Sequence, residues 1–179
     1  MILGVDKLLG MVNDVQLVEN LCDRELNNPE GAGFDLRIGE IFELEGKSFL
    51  GVEERDTPDV KSVAKYDPEK RTSFTFKPGS YYLFKTIENV NTPEDIVVLF
   101  RPRTTIFRSG MTMVTGNCSP GYKGGLTFAI ANVGNCEVEI ELGARVAHAL
   151  FFKVDGKTNL YRGQWQGGRV TTEKKETQI

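Results

Sequence analysis

Histidine occurs once, at position 148, and tryptophan once, at 165. With one imidazole, no His-x-Glu and no Pro-Cys-x-x-Cys, the chain is excluded from zinc-dependent deaminase chemistry. Cysteine is scarce as well. Cys22, Cys118 and Cys136 form no Cys-x-x-Cys pair, and their odd number argues against a disulfide framework. They read as reduced thiols of a cytosolic protein. Basic residues are not in excess: 22 Lys and Arg face 25 Asp and Glu, a net charge of −3. Bulk attraction to nucleic acid is therefore not expected, although a local basic loop can still hold a small anion. No apolar run approaches the roughly 18–20 residues that span a bilayer. The start, Met1-Ile-Leu-Gly-Val-Asp6, lacks the basic n-region of a signal peptide. A cytoplasmic location is expected. The most telling absence is internal, since no Asp, Glu or His occurs between Arg101 and Gly134.

That stretch holds two unusual segments. Arg101-Pro-Arg-Thr-Thr-Ile-Phe-Arg108 places three guanidinium groups and two hydroxyls within eight residues. Arginine forks suit phosphate oxygens, and threonine hydroxyls with free backbone N–H groups can complete a cradle. Gly116-Asn-Cys-Ser-Pro-Gly-Tyr-Lys-Gly124 is a Gly/Pro-rich turn between apolar runs. Such a hairpin can clamp a flat base with its own main chain, and together the segments read as a nucleotide site. Gly116 to Gly121 is followed by Tyr122-Lys123 rather than Lys-[Ser/Thr], so the turn is not a Walker P-loop. Cys118 reads as a small packed thiol, with no base near it in sequence.

The 179 residues suit a single domain covering 1–179. Leu8, Leu9, Val12, Val15 and Val18 fall near helical spacing and predict a short helix within residues 5–20. After a turn cluster at Asn27–Gly33 the pattern is almost entirely β. Strands are predicted around Phe34–Ile38, Ile41–Leu44, Phe74–Phe76, Tyr81–Phe84, Ile96–Phe100, Met111–Val114, Leu126–Ala131, Val138–Leu142 and Val146–Val154. Short strands at this spacing with Gly/Pro turns indicate a sandwich or barrel. Residues 52–71 are expected to form a charged surface loop or flap, and residues 171–179 a mobile polar tail. Alternating Glu137, Glu139 and Glu141 read as a solvent-facing strand edge. His148, in an apolar strand, is expected to be buried and hydrogen-bonded.

Six segments resemble, in order, the dCTP deaminase and dUTPase superfamily. Arg103-Thr-Thr-Ile-Phe-Arg108-Ser-Gly110 is similar to its Arg-Ser-Ser-Leu-Ala-Arg-x-Gly motif, and Ser119-Pro-Gly-Tyr-Lys-Gly124 to its Asp-Pro-Gly-[aromatic]-x-Gly hairpin. Gly33-Phe-Asp35-Leu-Arg-Ile-Gly39, Lys77-Pro-Gly79 through Asp95, Leu142 to Phe151, and Tyr161-Arg-Gly-Gln-Trp-Gln166-Gly167 resemble the remaining motifs. The resemblance implies an all-β fold, the distorted jelly-roll or β-clip of the dUTPase-like superfamily, with a short N-terminal helix here. It implies a homotrimer with shared sites, contacting through strands near Val146 to Phe152. Mg²⁺ arrives with a dUTP or dCTP substrate. Arg103, Thr104, Thr105 and Arg108 are then the triphosphate-loop residues. Thr104 and Arg108 also act at the reacting centre. Gly116 and Tyr122 belong to the base and sugar pocket, the Tyr122 ring leaving no space for a 2′-hydroxyl. Tyr161, Gln164 and Gln166 belong to a C-terminal lid hinged at Gly167-Gly168. No residue ligates the metal directly, and Asp35 reaches it through water or is structural.

The departures from the family pattern fall on its acids. Ser119 stands at the hairpin Asp position of the dUTPases, and Ala129 at the catalytic Glu position of the deaminases. Gln164 replaces a phosphate-binding Lys, a charge that Arg162 or Arg169 can supply. A general base contributes about 10²–10⁴-fold. The expected function is therefore dUTP diphosphatase or the closely related dCTP deaminase. The alternative is a weak or inactive dUTP- or dCTP-binding paralogue that acts as sensor or regulator.

Overall fold

Alternation dictates the architecture, as apolar side chains at every second position make one face of a strand and charged ones the other. The computed structural model describes residues 1–178. In chain order its elements are α1 (Val5–Val15), β1 (Val18–Glu19), α2 (Asp23–Asn27), β2 (Phe34–Glu45), β3 (Phe49–Leu50), β4 (Glu54–Asp56) and β5 (Asp59–Lys65). There follow β6 (Ser73–Phe76), β7 (Tyr81–Asn91), β8 (Ile96–Pro102), α3 (Thr104–Arg108), β9 (Met111–Val114) and β10 (Asn117–Cys118). The chain closes with β11 (Lys123–Asn132), β12 (Val138–Glu141), β13 (Arg145–Lys153) and β14 (Glu176–Thr177). No described helix is long and apolar enough to cross a membrane.

The main sheet runs β10-β8-β13-β2-β7-β11-β9, with β1 added to β7 and β5 to β2, all antiparallel. β2 is its pivot. Phe34 to Arg37 pair with β13, whereas Ile38 to Phe42 pair with β7 and Glu40 to Glu45 with β5. Register shifts at Ile38/Glu40 and Ile41/Phe42 bend the strand, as bulges do, so that one continuous strand passes between two packed layers. This is the distorted jelly-roll that the family resemblance implies.

Phe34, Leu36, Ile38 and Ile41 enter the core between the layers. Phe34 meets Phe151 edge to face at 6.0 Å, and Phe128 meets both Phe84 and Phe100. On the opposite face of β2, Arg37 donates through its backbone N–H and Nε to the fully buried Glu88 at 2.8 and 2.6 Å. Burial pushes the Glu88 carboxyl above the usual range, and the hydrogen bonds from Arg37 offset only part of that.

The N-terminal helix ends at Val15, short of the predicted limit. Gln16 takes a left-handed conformation, and Leu17 donates to the carbonyl of Met11 at 3.2 Å. That turn buries Leu17 and releases Val18 to pair with Val90 of β7.

Three expectations change. Residues 52–71 are not one loop, because β4 pairs with β3 and β5 zips along β2. The stretch reads as a loop from its charges, but β5 turns them to solvent while Val60, Val63 and Ala64 sit half-buried. β13 does not offer a free apolar face. It lies between β8 and β2, and Val146, Ala147, Ala149 and Phe151 point into the chain's own core. The polar tail packs rather than trailing: β14 pairs with β4, and Thr172 is buried against Thr57. Ile179 lies outside the described residues. The glutamates of β12 conform better. Glu139 is exposed, and Glu141 binds Arg71 at 2.6 Å on the outer edge.

Candidate functional site

Two constellations emerge from this frame. The first surrounds Asp35, which points away from the core because its neighbours Phe34 and Leu36 point into it. Its Oδ2 lies 3.0 Å from Nε of Arg103 and 3.0 Å from Arg145, with Arg24 at 3.9 Å. His148 donates from Nδ1 to Oδ1 at 2.8 Å. Beneath them Glu25, buried on α2, accepts the Asp35 N–H at 2.8 Å and touches Arg24 and Arg145. Burial raises the Asp35 carboxyl. The His148 hydrogen bond and the charges of Arg103 and Arg145 outweigh it, and the group lies below its usual range. His148 is half-buried rather than buried, and its partner is a carboxylate.

Arg103 caps α3 in an extended conformation, its N–H bonded to the Val146 carbonyl at 2.9 Å. Ile106 anchors the helix in the core, which leaves Thr104, Thr105, Phe107 and Arg108 exposed. The loop therefore presents two hydroxyls and a guanidinium to solvent, with Arg103 fixed at its base.

Asp35 does not suit a cation. Three guanidiniums converge on its carboxylate and occupy both oxygens together with His148. A water-mediated metal contact there would meet strong repulsion. Among the described residues no cluster of three or more His, Cys, Asp and Glu offers a metal site. The residues present do not fit a resident Mg²⁺.

The second constellation is the hairpin. Ser119-Pro-Gly-Tyr122 is a turn with Pro second and Gly121 at φ +80°, closed by the Tyr122 N–H on the Ser119 carbonyl at 3.1 Å. Thr92 pins it from below. Its N–H donates to the Tyr122 carbonyl at 2.8 Å, and its buried hydroxyl lies within 2.9 Å of the Ser119 and Tyr122 carbonyls. The Tyr122 hydroxyl donates to Gly125 O at 2.5 Å, and its ring meets Tyr161 edge to face at 5.3 Å. Burial of the phenol pushes its ionisation well above the ordinary value.

The C-terminal segment closes over this hairpin. Gly124 and Gly167 form a parallel bridge, and the Gly167 N–H reaches Lys123 O at 2.9 Å. Gln166 accepts the Lys123 N–H and donates to Gly121 O, both at 3.2 Å. With the Tyr161 N–H on Pro120 O at 2.7 Å, four of the hairpin's main-chain groups are already taken by the C-terminal segment. Gln164 donates to Thr177 O within the segment and accepts from Arg55 of β4. Between hairpin, lid and the β7–β11 floor lies a cavity of about 540 Å³. Gly116, Ser119, Tyr122 and Tyr161 border it, as do Trp165 and Arg169. No carboxylate or imidazole is among its described lining residues. Ala129, buried opposite Leu83 in the β7–β11 ladder, does not reach the cavity. Its neighbour Thr127 does, with a buried hydroxyl that has no partner.

The predicted residues thus fall into two groups. Gly116, Ser119, Tyr122 and Tyr161 share the cavity, with Gln164 and Gln166 in the segment above it. Asp35, Arg103, Thr104, Thr105 and Arg108 lie outside it. Sequence reading missed Thr92, Thr127, Arg55, and the Arg24–Glu25–Arg145 support of Asp35. Charged residues in unremarkable contexts carry no local signal of their partners.

Cys118 lines the cavity floor, and burial pushes its thiol up to about 12. Cys136 is exposed. An alkylating reagent at pH 8 is expected to modify Cys136 in the folded protein and spare Cys118 until denaturant is added. Peptide mass spectrometry reads both.

Residues 11–154 match the dCTP deaminase-like family. A probable deoxyuridine 5′-triphosphate nucleotidohydrolase of Methanothermobacter thermautotrophicus is 29% identical over 135 residues, 75% of this chain and 85% of the relative. A dCTP deaminase of Thermococcus kodakarensis is 29% identical over 154 residues, 86% of each chain. The crystal structure of 2′-deoxycytidine 5′-triphosphate deaminase from Agrobacterium tumefaciens superposes with a TM-score of 0.65 at 15% identity. The match takes in 84% of this chain and 46% of that one, and it establishes the fold. The bent β2, the capped arginine loop and the Pro-Gly hairpin thus lie within one matched span, and the chain belongs to the dCTP deaminase-like family.

Proposed function

We propose that the protein processes a pyrimidine deoxynucleoside triphosphate, with hydrolysis of dUTP to dUMP and pyrophosphate as the leading reaction and deamination of dCTP as its closest variant. One single domain over residues 1–179 carries it. The observation that carries the reading is the lidded cavity beside the Ser119–Gly124 hairpin, apolar and aromatic in lining and closed by Tyr161 and Trp165. The base and deoxyribose enter there against Tyr122. Arg103, Thr104, Thr105 and Arg108 stand outside their own chain's cavity on an exposed loop. We therefore propose a homotrimer in which this loop serves a neighbouring copy. The exposed Phe107 and Val114 near it supply apolar contact surface. Thr104 and Arg108 would act at the reacting phosphate, and Arg103 would hold the chain of phosphates.

Mg²⁺ enters as part of the substrate, bound to the triphosphate. In hydrolysis a water oxygen bonds to the α-phosphorus, the bond to the bridging oxygen breaks, pyrophosphate leaves, and the water's proton passes to solvent. The guanidiniums stabilise the charge that builds on the phosphoryl oxygens.

A second reading is favoured by the lack of a carboxylate or imidazole in the described cavity lining, which leaves no built-in base. Under it the protein binds dUTP or dCTP and turns over little, acting as sensor or regulator. Chromatography of products from dUTP and dCTP with Mg²⁺, beside calorimetric binding, separates the two readings. Ser119→Asp restores an acid at the cavity wall and is expected to raise dUTP hydrolysis by about 10²-fold. Unchanged turnover in that variant would remove the hairpin residue from the mechanism.

A further inference from the structure

The C-terminal segment brings Trp165 and Arg169 of the cavity wall together with Arg55 and Glu176, which none of the preceding chemistry uses. The guanidinium carbons of Arg55 and Arg169 lie 4.8 and 5.0 Å from the centroid of Trp165. Arg55 comes from β4 and Arg169 from the lid, so two distant parts of the chain meet over one indole. Cation–π contact and burial of the stems hold both forks in place. Glu176 sits against them. Its carboxylate accepts from Arg169 at 2.6 and 2.9 Å and lies 3.8 Å from Arg55.

This carboxylate fills the arginine pair poorly. The Nε atoms of both Arg55 and Arg169 are buried and have no acceptor. Two guanidiniums share the Glu176 carboxylate, with Glu173 acting on Arg169 as a further charge, and two Nε donors stay unmet. Unmet buried donors are costly, and arginine forks favour anions that offer several oxygens in one plane or tetrahedron. An oligophosphate supplies more oxygens and more charge than a single glutamate. Arg169 also borders the cavity, so such an anion would be continuous with a nucleotide bound there. The occupant is removable as well. Glu176 belongs to a strand of only two residues, held to the β3–β4 hairpin by Gln178 through bonds to Gly51 O and Glu53 O.

We propose that Arg55 and Arg169 form an oligophosphate-binding site that the chain's own Glu176 occupies when no ligand is present, so that ligand and tail compete for the same pair of guanidiniums. The identity of the anion rests on the nucleotide reading above; the competition does not. Removal of the glutamate charge should tighten anion binding, and loss of the arginines should abolish it.

Trp165 is the only tryptophan, so its fluorescence reports the arginine pair and the cavity wall beside it. The test titrates the full chain with inorganic tripolyphosphate, with sodium chloride at matched ionic strength as control. Tripolyphosphate is expected to change the emission of the unaltered protein and to half-saturate at about tenfold lower concentration in Glu176→Gln. The response should vanish in the paired variant Arg55→Gln, Arg169→Gln, whose folding is checked by thermal melting. Equal half-saturation in the unaltered protein and Glu176→Gln overturns the competition. So does a response that survives loss of both arginines, or no response in Glu176→Gln. Calorimetry with dUTP and dCTP separates this inference from the function. Tripolyphosphate competition without nucleotide binding keeps the site and removes the nucleotide reading. Nucleotide binding with equal affinity in Glu176→Gln and the unaltered protein does the reverse.

Discussion

Asp35→Ala is expected to lower folding stability by about 3 kcal/mol, measured as the shift in urea midpoint at an unchanged slope. Removing one partner of a buried ion pair costs about 3–5 kcal/mol because the other charge stays behind. Here Arg103 and Arg145 would lose the carboxylate 3.0 Å away, and His148 its acceptor. Their side chains keep 24–30% of their surface in water, which places the loss at the low end of that range. Glu25 remains, but it already serves Arg24 and the Asp35 backbone. Asp35→Asn keeps the shape and one acceptor, and should retain part of the stability. The pH dependence has a definite sign. The folded carboxyl lies below its unfolded value, so its contribution is complete above about pH 4 and is lost as pH falls through the folded value. In Asp35→Ala that acid limb of the stability curve should flatten. Arg103 would also lose the group that fixes its Nε, so nucleotide affinity should fall along with stability. Calorimetry at a temperature where the variant is fully folded distinguishes the two effects.

Gly124→Ala is expected to lift the C-terminal segment from the hairpin and weaken nucleotide binding by about 5–150-fold. A Cβ at position 124 would lie 2.5 Å from the carbonyl carbon of Gly167 and 2.7 Å from its Cα. Both contacts are backbone, so no side chain can yield. The φ of +136° at Gly124 adds a conformation that an L side chain resists. Strain of this kind costs about 1–3 kcal/mol. The cheapest relief is for the lid to move, because Gly124 is held in the ladder with β7 opposite Val90. If that strain appears only in the closed state, it divides the closed population by roughly 5–150. Faster proteolysis beyond Gly163 and weaker binding of dUTP or dCTP should appear together. Gly10→Ala is the matched control. Nothing lies within 4 Å of its Cβ, the site is in mid-helix, and stability should hold or rise slightly.

The longer core strands were legible from their apolar pattern, whereas β1, β3, β4, β5, β10 and β14 were not. Phe34, Leu36 and Ile38 announce β2, and Ile96 to Phe100 announce β8. The helix boundary at Val15 was not, since Gln16 takes its left-handed turn to let Val18 reach Val90, a partner far along the chain. β5 was hidden for a related reason. One of its faces is solvent, and its charges look like those of a loop. At the site, glycine and proline content exposed the hairpin, where backbone geometry restricts residue choice, and the family resemblance of Tyr161 to Gly167 pointed to the lid. What sequence could not supply was pairing. Arg24, Glu25, Arg145 and Asp35 come from three elements and meet only when β13 lies beside β2. Thr92, with no motif around it, holds the hairpin through carbonyls that any residue possesses.

The position of β13 has a consequence during synthesis. It is the central strand between β8 and β2, yet it is made after both. The first residues of β2 pair with no other strand, and β8 has only the two-residue β10 besides. At roughly 5–20 residues per second, the hundred or so residues from Glu45 to Arg145 take about 5–20 s to emerge. For that interval Phe34 and Leu36 lack their β13 partner, and Val98 and Phe100 lack theirs over its last forty or so residues, roughly 2–9 s. A nascent chain in this state is a natural client for chaperones that shield apolar β-edges, and its yield in the cell should depend on them more than its finished stability suggests.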